Sequence, residues 1–330
     1  MDQRTQTTRT ADSDLTAKAV SEKWILPLQV GGHNYQWVFT ENMTRLISVL
    51  KHFIRKEVAG PLGFKEYLFP RLVPEEVLGE TGWLTYHAPE AWHVSQKREF
   101  RFDLLDKPTV FDKKEKFKPS QIDFVLDPIQ CVSLYYAYYD KEIDPKSLPI
   151  KVFEDQGGWT WRYEVLDSLN GLFKSIEFLR TEFVWIANQT EAESTRNEAL
   201  LATSNMIRKL GIETAFGEGD SCFVESVKEN NLNYQKTTQN LKDLSAEPTV
   251  DLLCKRTDGS WSEICSGSRY SIITKRFKIQ CSNKTELWSG CLGVGINRMV
   301  VIFLEKYGFV PEQWPVSIKQ IWAKSKELPL

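Results

Sequence analysis

The chain has 330 residues, and its 42 Lys and Arg nearly balance its 44 Asp and Glu, giving a net charge of −2. With 42% hydrophobic and 26% charged residues, the composition excludes a disordered or collagen-like chain. The sequence has neither the bulk positive charge typical of nucleic-acid-binding domains nor an apolar run of about 18 residues that would span a membrane.

The first 60 residues divide into a polar arm and an amphipathic helix. Residues 1–20 are polar and lack periodicity, which predicts a disordered arm. Apolar residues at helical spacing then predict a helix from Asn42 to Val58. Turn residues beyond it bracket a short apolar run, Tyr67–Phe69, which we predict to be a strand.

From residue 122 onward the pattern is dominated by short strands. One long hairpin is predicted from Trp159–Glu164 and Ile176–Ile186, with its turn at Asp167–Gly171. A helix is predicted at Ala192–Leu210, ending at Gly211. Other predicted strands are Phe124–Leu126, Pro149–Phe153, Thr249–Leu253, Trp261–Ile264 and Arg276–Ile279. Strands joined by short turns favour an α+β fold, with an antiparallel sheet flanked by helices and no linker between domains.

The six cysteines are sparse and include no CxxC pair. The N-terminus, residues 1–14, shows no apolar segment of the kind found in secretory signals. Together these features predict a reducing, cytoplasmic compartment in which thiols are metal ligands or core residues.

A first group of chemically useful residues lies on the predicted hairpin. Arg162 and Glu164 alternate onto one face of a strand, and Phe178 follows on the returning strand. An Arg fork suits a phosphate, a carboxylate accepts from an amine, and a ring stacks on a planar ligand. Taken alone, such an Arg/Glu pair is more often a surface ion pair.

A second group lies near the C-terminus, where Gly290, Gly293 and Gly295 precede Arg298 and an apolar helix. Spaced glycines at a strand-to-helix junction let a ligand approach the backbone. A dinucleotide-binding fingerprint is rejected, because a third glycine is missing and the segment does not open an early βαβ unit.

Together the two groups resemble motifs 2 and 3 of the class II aminoacyl-tRNA synthetases. Gly63–Pro70 is similar to motif 1 of the same family, and the segment from Trp261 to Ile279 is similar to the seryl-type region before motif 3. The segments follow the family order over roughly residues 45–310. The resemblance implies a single catalytic domain over residues 21–330 and a homodimer formed through motif 1.

The cysteines suggest a subfamily. Cys131, Glu182 and Cys291 are similar to the zinc site of the methanogen-type seryl-tRNA synthetases and of their truncated relatives, the amino acid:[carrier protein] ligases. Two thiolates and a carboxylate leave a fourth zinc position open, as in catalytic sites, and a substrate amine could take it. The alternative is that Cys131 and Cys291 are ordinary core thiols.

The resemblance also implies roles in ATP-dependent formation of an aminoacyl-adenylate. Arg162 would hold the α-phosphate and Glu164 the adenine amine, while Phe178 and Arg298 would sandwich the adenine. Lys174 would contact the outer phosphates and Glu263 a Mg²⁺ ion. Two positions depart from the family pattern: Lys174 replaces an arginine, and Asn297 stands where an acidic residue is common.

The acceptor of the aminoacyl group is predicted from what precedes motif 1. The polar arm leaves no room for a large tRNA-binding domain, so we expect a small amino acid to be transferred to the phosphopantetheine thiol of a carrier protein, with tRNA an unlikely partner. One alternative is a zinc-dependent, seryl-tRNA synthetase-like enzyme that loads tRNA or another biosynthetic acceptor. Another is a non-catalytic paralogue that binds a partner or senses an amino acid. No residue specifies which amino acid is used.

Overall fold

A computed structural model describes residues 14–30, 33–94, 123–162, 171–223 and 237–325. Its strands in chain order are β1 Ile25–Val30, β2 His33–Phe39, β3 Lys65–Glu66, β4 Leu72–Pro74, β5 His93–Val94, β6 Phe124–Leu126, β7 Glu142–Ile143, β8 Ile150–Glu154, β9 Trp159–Trp161, β10 Glu177–Asn188, β11 Thr214–Glu218, β12 Thr237–Thr238, β13 Thr249–Lys255, β14 Trp261–Tyr270, β15 Gln280–Cys281 and β16 Leu287–Gly295. Its helices are α1 at residues 14–21, α2 Glu41–Ile54, α3 Glu75–Glu80, α4 Trp83–His87, α5 Cys131–Ala137, α6 Gln189–Lys209, α7 Ile272–Arg276, α8 Ile296–Tyr307 and α9 Val316–Lys324.

A mainly antiparallel sheet forms the centre of the fold. Its strands run in the order β12-β11-β13-β14-β16-β10-β8-β3, and β9 pairs with the start of β10. The pairs are antiparallel except for β3 with β8, which is parallel. The predicted α+β fold with an antiparallel sheet is therefore confirmed, and the order places β14, β16 and β10 side by side.

Each face of the sheet carries its own apolar core. On β10, Phe183 and Trp185 point into the core formed with α2, α6 and α8. Val184 and Ile186 point the opposite way, into the core that contains residues of α3, α5 and α7. This alternation follows from the two-residue period of a strand, and a strand buried on both faces is apolar nearly throughout.

Helix α2 follows the predicted apolar spacing. Its buried residues include Leu46, Val49, Leu50, Phe53 and Ile54. A five-residue π-turn, Arg55–Ala59, extends it, and the Gly60 N–H donates to the Arg55 carbonyl at 2.9 Å. The predicted helix is thus confirmed, with a wider last turn.

Helix α6 is confirmed with both of its ends defined by local chemistry. The Asn188 side chain accepts from the Glu191 N–H at 2.9 Å, which caps the first turn. Gly211, at φ +68°, ends the helix in the left-handed conformation that glycine adopts without strain.

Part of the predicted disordered arm is ordered. Residues 14–21 form α1, Ala19 is fully buried, and the Thr16 hydroxyl accepts from the Leu172 N–H at 3.2 Å. The polar sequence pattern misses this helix because only a few of its residues contact the core. Residues 1–13 of the arm lie outside the described ranges.

Two predicted strands are wrong in detail. Arg276–Ile279 is a helix end and turn instead, because Ile273 and Phe277 lie four residues apart and are both fully buried, which is helical spacing. In the motif 1 segment the paired residues are Lys65–Glu66, and beyond them only the Tyr67 N–H bonds to β8, at 2.8 Å from the Phe153 carbonyl.

The predicted hairpin is confirmed within the residues that the structure describes. β9 pairs with Glu177–Leu179, and the Arg162 N–H continues the ladder to the Ile176 carbonyl at 3.1 Å. Residues 163–170, which include Glu164 and most of the predicted turn, lie outside the described ranges. Within those ranges, no helix is both long and apolar enough to cross a bilayer.

Candidate metal and nucleotide site

Three segments that are far apart in sequence bring Cys131, Glu182 and Cys291 together. On the paired strands β10 and β16, Glu182 lies opposite Gly293 and Cys291 opposite Val184, so Glu182 and Cys291 are diagonal neighbours on one face. Cys131 is the first residue of α5, which packs on that face. The sulfur atoms and a carboxylate oxygen of the three residues all lie within 4.8 Å of one another.

The cluster is set deep in the protein. Cys131 is 1% exposed and Glu182 is 2% exposed, while Cys291 is half-buried. Burial raises the pKa of the Cys131 thiol well above its ordinary value, and the neighbouring Cys291 and Glu182 raise it further. Burial also raises the pKa of the Glu182 carboxyl, against the opposing charge of Arg180.

Glycines on β16 make room for this cluster. Gly293 lies directly opposite Glu182, and Gly295 lies opposite Arg180. A Cβ on Gly293 would come within 2.7 Å of Glu182 Oε2 and 2.9 Å of Arg180 Cδ. The spaced glycines of motif 3 therefore clear the space that the two longer side chains of β10 occupy.

Arg180 is a site residue that the sequence analysis missed. It lies two residues before Glu182 on β10, and its Nε is 3.1 Å from Glu182 Oε2. The Nε and Nη2 atoms are buried without a hydrogen-bond partner among the described residues. The signal that could have identified it is alternation, which places Phe178, Arg180 and Glu182 on one face of the strand.

A second buried charge cluster lies next to Arg180 and Glu182. The Arg71 guanidinium lies 3.1 Å from Asp127 Oδ2 and also pairs with Glu154, and both carboxylates are fully buried. Burial raises the pKa of Asp127 to about 7, although Arg71 and Arg180 act in the opposite direction. Asp127 also accepts from the Ile129 N–H at 3.1 Å, which fixes the turn that leads into α5 and Cys131.

Arg162 lies at the mouth of the same corner. Its Nε donates to the Pro128 carbonyl at 2.9 Å, and its Nη2 lies 3.9 Å from the Cys222 sulfur. The backbone contact holds the guanidinium beside the turn that leads into α5. The structure thus brings the predicted phosphate-binding arginine close to the Cys131, Glu182 and Cys291 cluster.

The start of α8 forms the other wall. Arg298, in the first turn, places Nη1 3.1 Å from Glu263 Oε2 on β14, and its guanidinium lies 5.4 Å from the centre of the Phe173 ring. Arg256 lies on the same ring at 4.8 Å. Phe173 does not stand out in the sequence, because the family pattern points to Phe178.

The other residues predicted to bind ATP are Phe178, Lys174 and Glu164. Phe178 is half-buried on β10, opposite Thr160, and Lys174 is half-buried just before that strand. Their predicted contacts with ATP stay predictions, as does that of Glu164, which lies outside the described ranges. The departure at Asn297 has a structural role, since its side-chain oxygen accepts from the Leu179 N–H at 3.0 Å and joins α8 to β10.

The donor set fits a zinc ion. Two sulfurs and one oxygen within 4.8 Å of one another can surround a tetrahedral ion with bonds of about 2.0 to 2.3 Å and leave a fourth position open. Glu182 Oε2 is buried and accepts no hydrogen bond in the described structure, although Arg180 Nε forms an ion pair with it at 3.1 Å, so its lone pairs are open to a cation. A bound cation would also favour the deprotonated thiols, which burial alone disfavours.

Comparison with known proteins identifies related sequences. Residues 113–307 match the family described as tRNA synthetase class II core domain (G, H, P, S and T). The Type-2 serine–tRNA ligase of Methanopyrus kandleri is 32% identical over 93% of this chain and 59% of its own length. That of Methanocaldococcus jannaschii is 29% identical over 97% of this chain and 61% of its own length. The chain thus spans about three-fifths of these relatives.

Solved structures give the same result. A crystal structure of A. aeolicus tRNASec in complex with M. kandleri SerRS superposes with a TM-score of 0.77 and 26% identity, over 96% of this chain and 61% of that one. Giardia lamblia prolyl-tRNA synthetase in complex with prolyl-adenylate superposes with a TM-score of 0.69 over 94% of this chain and 55% of that one, at 13% identity. The second likeness shows the fold alone.

These comparisons correct the predicted acceptor. The prediction of a carrier-protein ligase, with a carrier protein as partner and tRNA unlikely, is wrong: the matching relatives are named serine–tRNA ligases, and a matching structure is a complex with tRNA. The error came from treating the short segment before motif 1 as information about the acceptor.

Proposed function

Because the chain belongs to the class II tRNA synthetase core family, we propose that it activates serine with ATP and transfers the seryl group to tRNA. The observation that carries the proposal is the convergence of Cys131, Glu182 and Cys291 within 4.8 Å, with Arg162 near enough to Glu182 for its charge to lower the pKa of that carboxyl, against the burial that raises it. The serine and tRNA parts extend the names of the relatives to this chain.

The buried corner would select the amino acid through its amine. Cys131, Glu182 and Cys291 would hold zinc, which when bound supplies a Lewis-acid position for the neutral α-amine of the substrate. Arg180 would keep the Glu182 carboxylate oriented, because its guanidinium lies 3.1 Å away and is itself enclosed. With the amine held there, Arg162 would be the cation nearest to the substrate carboxylate that is not already paired with Glu182.

The chemical step is then attack of that carboxylate on the α-phosphorus of ATP. A carboxylate oxygen forms the new P–O bond, while the bond to the bridging oxygen breaks and pyrophosphate leaves with its electron pair. Arg162 would stabilise the charge that builds up on the α-phosphate, and positioning supplies much of the acceleration. The protein forms no covalent bond to the substrate.

The opposite wall would bind the nucleotide. Arg298 would leave its contact with Glu263 to reach the γ-phosphate and cover one face of the adenine, with Phe178 on the other face. Glu263, once released, would bind Mg²⁺, and Lys174 would contact the outer phosphates. Glu164 would accept from the adenine amine. Support comes from the position of Arg298 at the start of α8, partly exposed and beside Glu263.

The first test is amino-acid-dependent exchange of pyrophosphate into ATP, measured with each of the twenty amino acids. We expect serine to support the fastest exchange, and we expect exchange to be lost on chelation and restored by zinc. Absence of exchange with every amino acid would refute the activation step. Serine binding without exchange would favour the non-catalytic, sensing alternative.

The second test separates activation from transfer. Radiolabelled serine, ATP and unfractionated tRNA are incubated with the protein, and acid-precipitable label is measured before and after mild base treatment. We expect base-labile label on tRNA. Robust exchange without label on tRNA would refute the acceptor and leave the activation proposal standing.

A further inference from the structure

We propose that Tyr135 is a positioning residue for the metal: its hydroxyl fixes the separation of Cys131 and Cys291. The inference rests on the zinc binding that is part of the proposed function. Tyr135 lies on α5, is fully buried, and takes no part in the chemical steps proposed above. Its role follows from the group that its hydroxyl contacts.

One hydrogen bond joins the two segments that carry the thiols. The Tyr135 hydroxyl donates to the Gly290 carbonyl at 3.0 Å. Tyr135 follows Cys131 by four residues, so the two side chains project from the same side of α5, one turn apart. Gly290 directly precedes Cys291 on β16. The hydrogen bond therefore closes a short loop of contacts that contains both sulfur atoms, which lie within 4.8 Å of each other.

The strand side of this loop is rigid. β16 lies inside the sheet, where Gly290 sits opposite Trp185 on β10 and opposite Arg269 on β14. On the face away from α5, the Trp185 indole fills the space beside Gly290, because a Cβ there would come within 2.2 Å of the ring. Strand β16 thus gives the Tyr135 hydroxyl a fixed anchor.

The helix side depends on its contacts with the rest of the protein. Helix α5 has seven residues, and the side chain of its N-cap residue, Gln130, makes no capping hydrogen bond. Its buried side chains, among them Val132 and Leu134, pack in the apolar core. Apolar packing has no preferred direction, whereas a bond from a hydroxyl to a carbonyl is confined to a narrow range of distance and angle. The Tyr135 hydroxyl therefore adds a directional restraint between α5 and β16.

Zinc makes the separation of the two sulfur atoms important. Two sulfur ligands of a tetrahedral zinc ion, each at about 2.3 Å, lie roughly 3.8 Å apart, so a displacement of α5 strains the site. Groups that orient the ligands without binding the metal typically contribute about 10- to 100-fold to metal affinity. Tyr135 bonds to a backbone carbonyl and not to a ligand atom, so it would act through the spacing of the ligands.

The first experiment uses Tyr135→Phe, which removes the hydroxyl and keeps the ring. We expect the Kd for zinc, measured by competition with a chromogenic chelator, to rise by about 10-fold. The control is Thr274→Val, because the buried Thr274 hydroxyl on α7 donates to another carbonyl of β16, that of Leu287, at 2.6 Å. Both variants should have a lower midpoint of urea unfolding without metal, but Thr274→Val should keep the wild-type Kd.

Cobalt(II) in place of zinc gives a second readout, which a general loss of stability would not change. The ligand-field bands of cobalt report the geometry of its ligands. We expect these bands to shift in Tyr135→Phe and to superpose on the wild-type bands in Thr274→Val. The spectra are recorded with saturating metal, so weaker binding alone does not alter them.

The outcomes separate this inference from the proposed function. A raised Kd and shifted bands, both confined to Tyr135→Phe, support the positioning role. If Tyr135→Phe matches Thr274→Val in both readouts, or raises the Kd with unshifted bands, the role of Tyr135 is overturned while zinc binding and serine exchange by the wild type leave the proposed function standing. A wild type that binds no zinc would overturn this inference together with the metal part of the proposed function.

Discussion

The candidate site has two parts that are organised in opposite ways, the cysteine corner formed by Cys131, Glu182 and Cys291 and the α8 wall formed by Arg298 and Glu263. The cysteine corner is buried, drawn from α5, β10 and β16, and keeps polar atoms of Glu182 and Arg180 without hydrogen-bond partners in the described structure. At the α8 wall, the side chains of Arg298 and Glu263 are 24% and 25% exposed and pair with each other. In the corner, Arg180 Nε lies 3.1 Å from Glu182 Oε2 but makes no hydrogen bond to it, whereas at the α8 wall Arg298 Nη1 lies 3.1 Å from Glu263 Oε2 and also donates to the Glu263 carbonyl at 3.3 Å.

This difference indicates how each wall meets its ligand. An enclosed donor set cannot be rearranged cheaply, so the corner would act as a preorganised binding site with a fixed geometry. The Arg298 and Glu263 side chains are partly exposed to solvent, so we expect them to separate when a triphosphate and its cation arrive. Variants in the corner should therefore affect metal retention, and variants at the wall should affect the use of ATP.

The largest effect is expected for Cys131→Ala. Removing one of three ligands should reduce the zinc content to below about a tenth of the wild-type value and lower exchange by on the order of 1000-fold. Elemental analysis and the exchange assay measure the two quantities. The control Cys281→Ala should keep both, and full activity of Cys131→Ala after chelation would contradict the metal assignment.

A smaller effect is expected for Arg298→Ala. Losing a charged group that stabilises the transition state should lower kcat/KM for ATP by about 100-fold while the zinc content stays unchanged. Lys275→Ala is the control, because Lys275 is an exposed cation paired with Glu286 on the surface. Loss of zinc from Arg298→Ala would show that metal binding depends on the residues proposed to bind ATP.

Gly293→Ala tests whether the cluster of Cys131, Glu182 and Cys291 is rigid. In Gly293→Ala, the new Cβ would lie 2.7 Å from Glu182 Oε2, so Glu182 must move. We expect zinc affinity, measured by competition with a chromogenic chelator, to fall by about 10-fold. Gly79→Ala is the control, since its nearest neighbour would be 3.9 Å away. Unchanged affinity in Gly293→Ala would show that the corner adapts.

The smallest effect is expected for Asn297→Ala, at the contact between α8 and β10. Asn297→Ala leaves the buried Leu179 N–H without its acceptor and should lower the free energy of unfolding by about 1 to 3 kcal/mol, with little change in zinc content. Urea unfolding measures the loss. Asn297→Asp keeps an acceptor at the positive end of a helix and should lose less. Equal losses in the two variants would argue against the hydrogen bond as the cause.

Much of the fold is readable from sequence because its signals are local. The spacing of Leu46, Val49 and Phe53 predicts α2, and the cysteine pattern predicts Cys131, Glu182 and Cys291 by resemblance. Arg276–Ile279 was misread, because a single helical turn with Ile273 and Phe277 buried is too short for a clear period. Short apolar runs of this kind are ambiguous between helix and strand.

The parts that could not be predicted depend on pairing between distant segments. Arg180 comes to lie beside Glu182 through the register that sets it opposite Gly295. It does not stand out within its own segment. Phe173 was missed for the same reason, because its two arginine neighbours, Arg256 and Arg298, come from the β13–β14 turn and from α8.

The π-turn at Arg55–Ala59 fixes the number of residues between α2 and β3, the edge strand of the central sheet. It positions Arg55 so that its Nε reaches Asp155 Oδ2 at 2.8 Å and its Nη1 reaches Glu66 Oε2 at 3.2 Å. Deleting one residue here would restore an ordinary helical turn and rotate everything downstream by about 100° relative to α2. This stretch should therefore tolerate substitution of its side chains far better than any change in the number of its residues.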